Sequence, residues 1–159
     1  MIIESKQAPS DLRYRIFGIL FLLNSKLEAL GNSEHILGEL STKQWFLLLV
    51  ITAFFDDAPT ISQVSQITGT SHQNVKVLAS NLEKKGFLTI KKDENDKRIL
   101  RLHINHQKQK EYDSFHEQEN SQFIDSLFQD FDQKELFELE KGLTLLVEQV
   151  HRIRRDFNE

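Results

Sequence analysis

The stretch TISQVSQITGTSHQNVKVLASNLEKKGF, residues 60–87, decides the fold. Thr60 and Gln63 have capping-box spacing, in which a hydroxyl and an amide side chain satisfy each other's backbone N–H groups at a helix start. Val64 and Ile67 then face a core, and Ser65 is small enough for a second helix to approach. Thr68-Gly69-Thr70 reads as a tight turn, because glycine enters the left-handed region without a Cβ clash. Ser71 caps the next helix, which Val75 and Leu78 anchor and which runs to Lys85 before Gly86 stops it. The steps Val64 to Gly69 (five), Gly69 to Val75 (six) and Val75 to Leu78 (three) suit two helices crossing steeply, a helix-turn-helix.

Downstream the apolar period falls from near 3.6 to about 2. Phe87–Lys92 and Arg98–Ile104 flank the polar run Asp93–Lys97, which predicts a β-hairpin with a charged tip. Upstream, Ser41 and Gln44 form another capping box, opening a helix that is apolar nearly all round and therefore expected in a core. Asp56-Asp57-Ala58-Pro59 ends it. Before that, Leu12, Ile16, Ile19, Leu23, Leu27 and Leu30 trace one helical stripe, with Gly31-Asn32 as the predicted stop. After the hairpin, Tyr112, Phe115, Phe123, Leu127 and Phe131 are read along one helix, and Asp132 with Glu135 caps the last. There Leu136, Leu139, Leu143, Leu146, Val150, Ile153 and Phe157 alternate steps of 3 and 4, a heptad seam suited to packing against other helices.

Composition narrows the function. The 159 residues include no cysteine, which excludes disulfides, cysteine zinc sites and thiol chemistry, and only two prolines and six glycines, which favours helices. Neither a signal-peptide pattern nor an apolar run of membrane-spanning length is present, so the expectation is a soluble, cytoplasmic protein without a membrane partner. The net charge of −4 is unevenly spread. Residues 1–59 carry 5 basic and 7 acidic side chains, residues 60–104 carry 8 and 4, and residues 105–159 carry 7 and 13. A basic middle between acidic flanks fits a local polyanion-binding face.

Leu40-Ser41-x-x-Gln44-Trp45, Ile61-x-x-Val64-x-x-Ile67, Leu82-Glu83-Lys84-Lys85-Gly86-Phe87-Leu88 and Asp96-x-Arg98-x-x-x-Leu102 together resemble the MarR family of bacterial transcription regulators. The likeness runs over most of the chain, about Leu12 to Ile153; the departure is Asn105, where many members have a threonine after the wing. It implies a mainly α fold, an α+β winged helix-turn-helix of about six helices with a two- or three-stranded wing, assembled as an intertwined homodimer. Residues 1–159 then form a single domain, with dimerisation helices in 8–40 and 105–159 around a DNA-binding lobe at 41–104. Leu12, Ile16, Leu23, Leu136, Leu139, Leu143, Leu146, Val150 and Ile153 are the expected dimer contacts, because they leave more apolar surface than the lobe alone covers.

With the lobe granted, the second helix of the motif enters a major groove. Gln73 and Asn74 can pair bidentately with adenine, His72 can donate or accept, and Lys76 can reach guanine or phosphate. Thr70 and Ser71, with the helix N-terminus, favour a phosphate oxygen. In the family pattern Arg98 lies in or beside the minor groove, oriented by a salt bridge from Asp96, while Lys91, Lys92 and Lys97 add phosphate contacts. A two-fold dimer expects a pseudo-palindromic operator with half-sites about 10 base pairs apart. Family members also respond to a small molecule bound between the dimer helices and the lobe, which makes a ligand-responsive repressor the leading expectation; Trp45 and Phe46 are candidate lining residues for such a pocket, or simply core.

Two alternatives stand beside this. His103, His106 and His116, with nearby carboxylates, would suit a metal-responsive regulator, while His103 and His106 would alternatively make DNA binding pH-dependent. A winged helix can also dock proteins, in which case binding would ignore salt. The six scattered histidines (His35, His72 and His151 are the others) form no His-Glu-x-x-His motif, and no glycine-rich phosphate loop occurs. The reading is therefore not an enzyme, with no catalytic residue, no metal ligand and no cofactor.

Overall fold

The computed structural model describes residues 11–33 and 37–156. The elements run α1 (Leu12–Ser33), α2 (Thr42–Phe54), α3 (Ile61–Thr68), α4 (His72–Lys84), β1 (Leu88–Lys92), β2 (Leu100–Ile104), α5 (His106–Phe128) and α6 (Gln133–Asp156). Two compact units divide after Asn120.

In the first unit the local signals act as their chemistry requires. Both capping boxes form: Ser41 with Gln44 at α2, and Thr60 with Gln63 at α3, where the Thr60 amide donates to Gln63 Oε1 at 2.8 Å. Gly69 ends α3 at φ 69°, and Ser65, buried between the helices, donates its hydroxyl to the Thr70 carbonyl at 2.6 Å. Helix α4 closes in a Schellman arrangement, with Gly86 at φ 80° donating to the Glu83 carbonyl and Phe87 to the Leu82 carbonyl. Leu82 and Phe87 are fully buried, the apolar contact that accompanies this stop.

The wing pairs β1 with β2 antiparallel, Ile90 opposite Leu102 and Lys91 opposite Arg101. The third strand shrinks to a single bridge between Thr60 and Arg101, reinforced by the Leu102 amide donating to the Pro59 carbonyl at 2.9 Å. Alternation points Leu88 and Leu102 into a core that also holds Leu47, Leu48, Val50, Ile51, Val64, Val75 and Ala79. Burying each large aliphatic side chain contributes about 1.5–3 kcal/mol. Asn105 caps α5 in place of threonine, accepting from the Lys108 amide at 3.2 Å and donating to the Gly86 carbonyl at 3.0 Å.

Three expectations need correction. Helix α1 passes through Gly31 and Asn32 to Ser33. Phe46, Leu49 and Phe54 leave the outer face of α2 exposed, so that helix is not enclosed on all sides. Phe131 follows α5 rather than lying on it, and Phe115 is exposed while Tyr112 is buried, the three-residue step between them leaving the two side chains about 60° apart around the axis. In the second unit the reciprocal cap of α6 forms between Asp132 and Glu135, at 2.9 and 2.8 Å. The α6 seam is open in the single chain: Leu139, Leu143, Leu146, Val150 and Ile153 are exposed and Leu136 is half-buried. On α1, Leu12, Ile16 and Leu23 are exposed as well. Phe157 and His35 lie outside the described residues.

Candidate nucleic-acid interface

The first turn of α4 presents its polar side chains outward: Ser71, His72, Gln73, Asn74 and Lys76 are exposed, while Val75 between them is fully buried and holds the helix down. Two of these residues also serve the fold. Ser71 Oγ accepts from the Asn74 amide at 3.2 Å, and Asn74 Nδ2 donates to Thr70 Oγ1 at 2.8 Å. The Asn74 amide group is thus half committed, while His72, Gln73 and Lys76 keep their side chains open to a ligand.

A recess of about 330 Å³ lies between this helix and the wing. His72, Gln73 and Lys76 from α4 line it, together with Arg98, Ile99 and Leu100 from the wing and Thr60, Ile61 and Ser62 from the start of α3. No acidic side chain is among them. Ser62 was not singled out from the sequence; only its place at the first turn of α3, beside the cap at Thr60, marks it as a hydroxyl available to a phosphate.

The wing tip departs from the expected pattern. Asp96 Oδ1 accepts the Arg98 backbone amide at 2.9 Å, and no ion pair joins Asp96 to the Arg98 guanidinium among the described residues. Asp96 thus shapes the turn through the backbone and leaves the guanidinium unpaired. Arg98 is exposed, and among the described residues its side chain has no hydrogen-bond or ion-pair partner. Lys97 folds back, donating to the carbonyls of Asp93 (3.1 Å) and Glu94 (3.0 Å) rather than projecting outward. Lys91 and Lys92 remain exposed and border a separate recess of about 370 Å³ with Asp93 and Arg101. There the ion pair is Asp93 with Arg101. Its guanidinium, followed by the amides of Asp96 and Asn95, pulls the Asp93 carboxyl down to about 2.

A separate, larger cleft, about 870 Å³, is lined from α2, the segment after it, β2 and α5. Ile51, Phe55, Pro59, Leu102 and Ile104 give it apolar walls, and Asp56, Asp57, Asp113 and Glu117 line it as carboxylates against the single cation Lys110. Burial pushes the Asp113 carboxyl up. His103 and His106 also border this cleft, whereas His116 is buried elsewhere, its Nδ1 3.1 Å from Glu119 Oε2. Among the described residues no group of three or more histidines and carboxylates is placed to hold a metal ion, which separates the histidines the metal-responsive alternative needs. Nor is any helix among them long and apolar enough to cross a membrane.

Against known proteins, a MarR family model matches residues 39–99. The fold is similar to that of a MarR protein from Peptoclostridium difficile, with 20% identity, TM-score 0.75, and coverage of 93% of this chain and 95% of that one. It is similar to the transcriptional regulator BldR from Sulfolobus solfataricus, with 14% identity, TM-score 0.72, and coverage of 90% and 99%. It is also similar to Streptococcus pneumoniae FabT, solved in complex with DNA, with 20% identity, TM-score 0.61, and coverage of 87% and 97%. Among curated proteins none matches this sequence.

Proposed function

We propose, from the match of residues 39–99 to a MarR family model, that the chain is a sequence-specific regulator of transcription that binds double-stranded DNA as a homodimer. The observation that carries this reading is the acid-free recess between α4 and the wing, where Gln73, His72 and Lys76 converge with an unpartnered Arg98. Hydrogen-bonding side chains on a helix start suit base edges in a major groove, and a free guanidinium beside them suits the adjacent minor groove. Thr70, Ser71 and Ser62 near this centre, with Lys91 and Lys92 at the separate recess of the wing, add donors for phosphate. Asp96 and Lys97 contribute by holding the tip in shape rather than by touching DNA.

The exposed apolar stripes of α1 and α6 support the dimer. Covering them with a second copy removes surface that a free chain would leave in water, and a two-fold pair then reads a pseudo-palindrome with half-sites about 10 base pairs apart. The ligand-responsive repressor reading rests on the large cleft, whose carboxylates favour a ligand with a cationic group. Fluorescence anisotropy on duplexes selected from a random pool tests the central claim. Selected duplexes should bind at least tenfold tighter than random ones, with affinity falling steeply between 50 and 200 mM salt. Equal affinity for both pools, or indifference to salt, would favour a protein-docking winged helix instead.

A further inference from the structure

Arg101 lies at the base of the wing and adds one positive charge to the basic middle of the chain. Its surroundings show that charge engaged inward. Arg101 stands opposite Lys91 across the two strands, a like-charge pairing that is unfavourable unless a third group intervenes. Asp93, two residues beyond Lys91 and so on the same face, supplies that group: its Oδ2 takes the Arg101 Nε–H. The other arm of the guanidinium, Nη1, donates to the Ala58 carbonyl at 2.8 Å. One planar side chain thus spans the wing and the segment between α2 and α3.

The contact continues outward. Asp93 Oδ1 accepts the amides of Asn95 (2.8 Å) and Asp96 (3.0 Å), and Asp96 in turn accepts the amide of Arg98. A relay of hydrogen bonds therefore runs from Ala58 through Arg101, Asp93 and Asp96 to the backbone of Arg98. A two-stranded ribbon is free to twist, and the other ties, the Leu102 amide to Pro59 and the Ile90 amide to Glu83, hold its base and middle rather than its tip. We propose that Arg101 is a positioning residue: by bridging Asp93 and the Ala58 carbonyl it fixes the wing, and with it Arg98, against the rest of the lobe. This rests on the DNA-binding reading above. The competing explanation is that Arg101 simply contacts a phosphate.

The two explanations part on charge. Asp93→Asn removes a negative charge from the wing, so on electrostatics alone it should tighten DNA binding; loss of the positioning relay should loosen it. Arg101→Lys keeps the charge but cannot span both partners with a planar fork, so positioning predicts a loss where a phosphate contact predicts near wild-type affinity. The experiment uses the full chain and a duplex that the wild-type protein selects from a random pool, with anisotropy for affinity, hydroxyl-radical footprinting for the wing, and circular dichroism for the fold. D93N, R101K and R101M should each weaken binding, by no more than R98A does, which for one phosphate-equivalent contact is about eightfold per wing at 0.1 M salt. R101M should add nothing to R98A, and protection at the flanking minor groove should fade while the central major groove stays protected. Tighter binding by D93N, or additive losses in the R98A R101M double variant, would overturn the proposal. If R101M does not fold, R101K and D93N decide. If the wild-type chain selects no duplex at all, the DNA-binding reading fails rather than the role of Arg101.

Discussion

Replacing Arg98 with alanine separates the wing's proposed part in DNA binding from any part in the fold. The side chain is exposed and makes no hydrogen bond or ion pair among the described residues, so its loss should change stability by less than about 0.5 kcal/mol, as is usual for such surface positions. Its effect on binding follows from counterion release, in which each neutralised phosphate contributes a slope of about −0.9 to log K against log salt. One guanidinium per wing then makes the slope shallower by about 0.9, and by about 1.8 for a two-fold dimer. At 0.1 M salt, a decade below the 1 M reference, this amounts to about eightfold per wing and about sixtyfold for the pair. Insertion into a narrow minor groove would add to these figures, since the potential is stronger there. Anisotropy titrations from 50 to 200 mM salt measure both quantities. An R98A variant with wild-type slope and affinity would show that the guanidinium never meets DNA, and the assignment of the wing would be wrong.

Other perturbations test the scaffold. Leu102→Ala empties a fully buried position between the wing and the helices, and should cost about 2–5 kcal/mol in a urea titration at fixed protein concentration. Gly86→Ala adds a Cβ that meets nothing within 4 Å but forces alanine to φ +80°, a cost of about 1–2 kcal/mol; Gly38→Ala, at φ +52° with its Cβ overlapping the His116 ring, should lose more, and equal losses would exclude that overlap. Because the folded pKa of Asp93 lies near 2, below its ordinary 3.8, the stability this ion pair contributes is complete above about pH 4 and disappears as the pH falls through about 2. The melting-temperature gap between wild type and D93N should therefore be constant above pH 4 and close on acidification; a constant gap down to pH 2 would contradict the depressed carboxyl. For the cleft, benzamidine should raise the melting temperature and benzoate of the same shape should not, with Asp113→Asn removing the difference; stabilisation by benzoate alone would reverse the assigned ligand charge.

What could be read from the sequence was what chain proximity controls. The boxes at Ser41, Thr60 and Asp132 each involve partners three residues apart, and all three form. Gly69 and Gly86 likewise stop their helices where the pattern of apolar residues ends. The roles of the cations were not legible, because their partners are distant in the chain. Lys85 donates to the Glu39 carbonyl and to Gln44, 41 residues away, and Arg101 reaches Ala58, 43 residues away. Lys97 bonds nearby carbonyls, yet nothing in a charged tip distinguishes a lysine that folds back from one that projects. Of the eight basic residues between positions 60 and 104, these three are therefore spent inside the lobe.

The same division explains why one stretch of the resemblance, at the end of α4, consists of residues that serve the fold. In Leu82-Glu83-Lys84-Lys85-Gly86-Phe87, Leu82 and Phe87 are core, Glu83 accepts the Ile90 amide at 2.7 Å, Lys85 ties α4 to the start of α2, and Gly86 turns the chain. Five of its six residues hold the wing and α4 in register, so any chain that builds this lobe needs them whatever DNA it reads. The outward residues His72, Gln73 and Lys76 face no such demand, because nothing in the fold depends on their side chains. A swap of these three for those of another winged-helix regulator should therefore leave stability unchanged and redirect the sequences selected from a random pool. If such a swap unfolded the lobe, or left the selected sequences as they were, the recess between α4 and the wing would not be where this protein reads DNA.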